Sequence, residues 1–124
     1  MTMAVMQSRD TRTYVAGEDL STAQFKFVTL ESDGQIDLAD SAGENCIGVL
    51  LNDPTSGNAA TVVMSGKTLV KAGGTIAAGA SVATNAAGLA VTAASGNIVM
   101  GYATEAAVSG QTIAVELIQG GNAA

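Results

Sequence analysis

The stretch that most invites a chemical reading is TVVMSGKT, residues 61–68, where Gly66-Lys67-Thr68 closes an apolar run. A phosphate-binding loop ends the same way, but it needs a second glycine five positions earlier so that the backbone can wrap the phosphates. That position is Thr61, and Gly73 and Gly74 bar the long helix that would have to follow. The segment reads as a tight turn with a solvated Lys67. A second candidate is ESDGQIDLADSAGE, residues 31–44, which gathers Asp33, Asp37, Asp40 and Glu44. Carboxylates suit Ca²⁺, yet the spacing does not match a helix–loop–helix calcium loop. Ile36 and Leu38 alternate with Asp37, as on a strand with one solvated face, so no metal site is expected. The chain has no histidine, which removes Ser–His and Cys–His catalysis and His-ligated zinc. Its one cysteine, Cys46, precedes Ile47 at a strand and reads as a buried structural thiol. Nothing in the pattern sets two acids across one cleft. No catalytic, cofactor-binding or metal-ligating residue is expected, and the protein is expected not to be an enzyme.

The elements that carry these residues follow from composition. A chain of 124 residues is most simply one domain. Apolar residues make up 48% but aromatics only 3%, so the core must be built from small and branched side chains, and an oligomer interface would help it. The net charge of −6 argues against nucleic acid as a partner. Nine of the eleven acids lie at or before Asp53, and residues 54–104 carry none. No apolar run approaches the roughly 18 residues of a membrane-spanning helix, and MTMAVMQSRD lacks the apolar core of a signal peptide. Synthesis in a cytoplasm, with no membrane partner, is the expectation.

Residues 71–96, KAGGTIAAGASVATNAAGLAVTAASG, are alanine-rich, yet glycines at 73, 74, 79, 88 and 96 leave no run long enough to nucleate a helix. Alternation in Ser81-Val82-Ala83 and Leu89-Ala90-Val91 points to short strands. The same pattern occurs earlier in the chain. Gly17 matches Gly73, Leu20 matches Ile76, Gly34 matches Gly88, Gly48 matches Gly101, Ser56-Gly57 matches Ser109-Gly110, Val62 matches Val115 and Met64 matches Leu117. The offset drifts from 56 to 54 to 53, which small loop deletions would produce. Two similar repeats, 15–66 and 70–120, are expected within one β domain, 14–124. Strands are predicted at 25–30, 36–38, 47–51 and 61–64, and again at 81–84, 89–91, 98–102 and 112–118. Asp33-Gly34 and Ala87-Gly88 supply hairpin turns, and 103–109 is expected to form one helical turn. The fold class is all-β, a small barrel or sandwich of two glycine-turned repeats.

Residues 1–13 stand outside both repeats and are expected to form an extended N-terminal arm. Met3, Val5 and Met6 offer apolar surface, Arg9 and Arg12 offer charge, and Tyr14 follows at the start of the body. The fold is not expected to need the arm, which could reach a neighbouring subunit and add a strand to it.

The run AGEDLSTAQFKFVTL, with DGQIDLA, CIGVLLN, SGNAATVVMSGKTLVKAGG and the second repeat through GQTIAVELI, resembles the small capsid cement, or head decoration, proteins of tailed bacteriophages. The resemblance covers about residues 14–118 and rests on glycine-spaced strands. It implies a β-rich fold, assembly as a homotrimer or alternatively a dimer, binding to the major capsid protein on the outer capsid surface of the virion, and stabilisation against the pressure of packaged DNA. The residues expected to touch the capsid are Met3, Val5, Met6, Arg9, Arg12 and Tyr14. The same strand pattern also resembles lipoyl-type and clip-like carrier domains, although SGKT lacks the flanks of a carrier lysine. A tail or fibre subunit is the other alternative.

Overall fold

A computed structural model describes residues 7–118, with side chains from Asp10 onward. Met3, Val5 and Met6 lie outside these residues. Among the described residues nine strands form one antiparallel sheet that curls towards a half-barrel. They are β1 Gln7–Val15, β2 Phe27–Leu30, β3 Ile36–Leu38, β4 Gly48–Leu50, β5 Ala59–Lys71, β6 Ser81–Thr84, β7 Ala90–Thr92, β8 Gly101–Ala103 and β9 Thr112–Leu117. The order is β3-β2-β4-β5-β9-β8-β6-β7, and β1 pairs β5. The all-β class therefore stands.

The two halves pair alike. β2 lies between β3 and β4 as β6 lies between β7 and β8. Val28 faces Gly48 as Val82 faces Gly101. Loop bonds repeat as well. The Ala16 amide donates to the Asn58 carbonyl at 2.9 Å, as that of Ala72 does to Gln111 at 2.7 Å. The Gly17 amide donates to Ile36 at 2.8 Å, as that of Gly73 does to Ala90 at 2.7 Å. Gly34 and Gly88 turn their hairpins with φ of 82° and 76°, a region that side chains disfavour. Gly48 and Gly101 meet a different need. A Cβ at either would fall on a carbonyl oxygen of the adjacent strand, Val63 or Glu116.

Two expectations change at β5. Gly66-Lys67-Thr68 is no turn but the middle of a 13-residue strand. The alternation of Gly66, Thr68 and Val70, all buried, with the outward Lys67, Leu69 and Lys71 carries the ladder on. Gly66, at φ 93°, absorbs a register shift where β1 pairs Ser8 with Gly66 and then Asp10 with Ser65. The other change concerns residues 1–13. β1 runs from Gln7 to Val15 across the expected border of arm and body. Val15 faces Ala59 and Tyr14 faces Ala60, as Lys71 faces Thr112 and Val70 faces Ile113. β1 thus opens the first repeat as the second half of β5 opens the second, and β5 serves both. The arm escaped the comparison because its polar residues share no side-chain pattern with GKTLVK; only the backbone register aligns them.

The expected helical turn at 103–109 is also absent. Ala107 instead bridges Ile76, exchanging bonds of 2.8 and 2.9 Å. In the first repeat the Leu20 amide reaches the Pro54 carbonyl at 2.9 Å, but proline has no N–H to return. The core falls in two clusters. Leu20, Val28, Ile36, Leu50 and Val62 fill the first half. Ile76, Val82, Ile113, Val115 and Leu117 fill the second, joined there by Phe27, Val49 and Val63 from the first. That sharing binds the halves into one body.

Candidate functional site

The acids that looked scattered converge. Glu18, Glu31, Asp37 and Asp40 line one hollow of about 200 Å³ with Thr29 and Leu38. The sequence pattern carries no sign that these acids share a hollow. Asp37 sits on β3 and Glu31 at the end of β2, while Glu18 arrives from the loop after β1 and accepts the Leu38 amide at 2.8 Å. The pairing of β2 with β3 brings these loops together, a contact between segments that spacing alone does not reveal. Thr29 Oγ1 donates to Glu31 Oε2 at 2.7 Å. Burial raises the Asp37 pKa above the ordinary value of 3.8, and the neighbouring charges of Glu18, Glu31, Asp33 and Asp40 raise it further. Glu44 is raised too, by burial first, although Ser41 opposes it by a hydrogen bond. Among the described residues no group of three or more acids or thiols is placed to hold a metal ion.

Cys46 lies just before β4, 6% exposed, with its thiol donating to the Glu44 carbonyl at 3.6 Å. Burial, with the charge of Glu44, pushes its pKa up to about 12. Such a thiol is a poor nucleophile at neutral pH. Lys67 lies within β5 and not at a hairpin tip, so it lacks the presentation a carrier lysine needs.

The second repeat offers apolar surface instead. Ile76, Ala107, Val108 and Gln111 line a shallow hollow of about 440 Å³, and Val108 is 54% exposed. The first repeat places Asp19 and Asp53 at the matching loops.

β1 presents the third surface. Among the described residues it pairs only with β5, so its other edge is open. Thr11, Arg12 and Thr13 are all exposed. Neighbouring side chains on a strand point to opposite faces, so both faces of β1 are bare there. Arg12 meets Asp10 at 3.4 Å, with its side chain 61% exposed. Tyr14 is half-buried against the first core cluster. Arg9 falls in the same strand.

The described residues thus form a curled sheet with β1 at its edge, an acidic hollow and a buried thiol. The chain belongs to the phage cement protein family, whose model matches residues 6–117, and it is a phage structural protein. A crystal structure of the N base of the head fibre gp8.5 of bacteriophage phi29 shares the fold, with a TM-score of 0.71 at 24% identity, covering 88% of this chain and 93% of that one. No curated protein matches the chain in sequence.

Proposed function

We propose that this chain decorates the outer surface of a phage head, binds the major capsid protein and braces the shell against packaged DNA. The observation that carries this reading is β1, an edge strand bare on both faces in a chain of the cement family. An open edge offers main-chain hydrogen bonds to another sheet edge. Arg9, Arg12 and Tyr14 on that strand, with Met3, Val5 and Met6 before it, are the residues proposed to meet the shell. Many such contacts repeated over a lattice give high avidity from weak units. The protein acts without catalysis, after synthesis in the host cytoplasm. It works as a homotrimer, with a dimer as the alternative, and the charge-poor second repeat with Tyr102 and Val108 exposed supports such self-contact.

The likeness to a head-fibre base favours one second reading, in which this domain is the foot of a fibre. The test is to add the purified protein to heads of the parent phage that lack it, then measure co-sedimentation and resistance to heat. Binding that raises the temperature of DNA release supports cementing. Binding with no gain in resistance favours the fibre foot, and failure to bind heads contradicts both. Sedimentation of the free protein reads the oligomer directly.

A further inference from the structure

Phe25 is the single non-glycine residue with positive φ among the described residues, at 64°. Its counterpart in the second repeat is Gly79, at φ 83°. The match is set by hydrogen bonding: the Phe25 amide donates to Leu50 at 2.7 Å as the Gly79 amide does to Ala103 at 2.7 Å. The site therefore suits glycine, and a phenylalanine there carries backbone strain. The ring is partly buried but belongs to neither core cluster.

The surroundings of Phe25 are also unusual in charge. Its carbonyl accepts the Lys71 amide at 2.9 Å. Because that amide points away from β9, Phe25 lies along the same edge of β5 that β1 occupies at Lys67. The chain has five basic residues: Arg9, Arg12, Lys26, Lys67 and Lys71. Two lie on β1, two on β5, and Lys26 follows Phe25. Four of the five bases thus lie on the paired strands β1 and β5, among them Arg12 held by Asp10 and Lys67 facing Glu116 of β9, and Phe25 sits at the Lys71 end of that pair.

We infer that Phe25 is an aromatic anchor, flanked by Lys26 and Lys71, that inserts into an apolar socket rimmed by carboxylates on the head-shell subunit. The inference rests on the head-binding reading above. Charge complementarity sets the partner's chemistry, since the Lys26 and Lys71 cations beside Phe25 favour carboxylates opposite them. Phenylalanine is enriched at interface cores relative to the rest of a protein surface.

The test compares the parent protein with Phe25→Gly and Phe25→Asn, two residues that tolerate the left-handed region. Melting temperature, sedimentation of the free protein and affinity for undecorated heads of the parent phage are measured, the last where all forms are fully folded. Both variants are expected to melt within about 4 °C of the parent, because relief of strain offsets the lost ring contacts. Both are expected to bind heads at least about tenfold more weakly, with unchanged sedimentation. Unchanged affinity overturns the anchor while leaving head binding by the parent intact. A larger fall in melting temperature overturns it by making the ring a requirement of the fold. Altered sedimentation overturns it in favour of contact between copies of the chain. A parent protein that fails to bind heads contradicts the head-binding reading, and the anchor with it.

Discussion

The two repeats share one ladder and differ in almost everything they show to solvent. Glu18 stands where the second repeat has Gly74, Asp37 where it has Val91, Asp33 where it has Ala87, and Phe25 where it has Gly79. Their interiors differ as well. Leu50 and Ile36 are large where Ala103 and Ala90 are small, while Ala60 is small where Ile113 is large, and all six are buried. Large and small side chains are thus distributed differently in the two halves while the buried pattern is kept. Pairing is held by a few glycines and buried side chains, so the surfaces of the halves have been free to diverge. One chain thereby carries an acidic flank, an apolar flank and the paired strands β1 and β5 with four of its five bases.

The sharpest way to break the comparison is at its close approaches. Gly48→Ala and Gly101→Ala should each cost about 3 kcal/mol in urea unfolding, since each Cβ falls on a backbone carbonyl of the next strand. A large loss at one site only would show that the halves are not equivalent. The hairpin glycines sharpen the comparison. Gly34→Ala has nothing within 4 Å of its new methyl and should cost only the conformational strain, about 1 kcal/mol. Gly88→Ala meets Leu38 and the Phe27 carbonyl as well, and should cost about 2 kcal/mol. Equal losses would mean that Leu38, reaching across from the first repeat, yields freely.

The thiol tests the packing between halves, because Cys46 belongs to the first repeat but packs in the second cluster. With its pKa pushed up to about 12, native protein at pH 8 should react with a maleimide far more slowly than protein in urea. Equal rates would place the thiol at the surface. The smallest effect belongs to the acidic hollow. The pKa of Asp37 is raised in the fold, so the folded state holds the proton more tightly than the unfolded chain. Its contribution is favourable when protonated and is lost as pH rises through the raised value. Melting temperature should therefore climb slightly as pH is lowered from neutrality towards the ordinary carboxylate range. Asp37→Asn should gain less than about 0.5 kcal/mol at pH 7, because water screens the site, and should flatten that climb. The matching Val91→Asn change should leave the pH profile alone.

Much of the fold was legible because glycine and alternation mark it. Strands 36–38 and 81–84 were placed at their observed ends. The long β5 was not, since a glycine followed by lysine resembles a turn, whereas Gly66 here absorbs a bulge in a continuous strand. β2 begins at Phe27 and not at 25 because Phe25 takes a left-handed conformation that no local signal announces. The acidic hollow was hidden for another reason. Its members lie on three segments, and only sheet pairing reveals that Glu18 reaches Leu38. Of the residues proposed to meet the shell, Arg12 and Tyr14 were legible as candidates from their position before the repeats. That they sit on an open edge follows only from the register of β1 with β5.

Electron cryo-microscopy of parent phage heads bearing this protein tests the central claim most directly. The account predicts density for the chain on the outer shell, with β1, Phe25 and Lys71 turned towards the shell subunits and the Glu18–Asp37 hollow turned towards solvent. Density on the tail, or on the head with β1, Phe25 and Lys71 facing solvent, would contradict it.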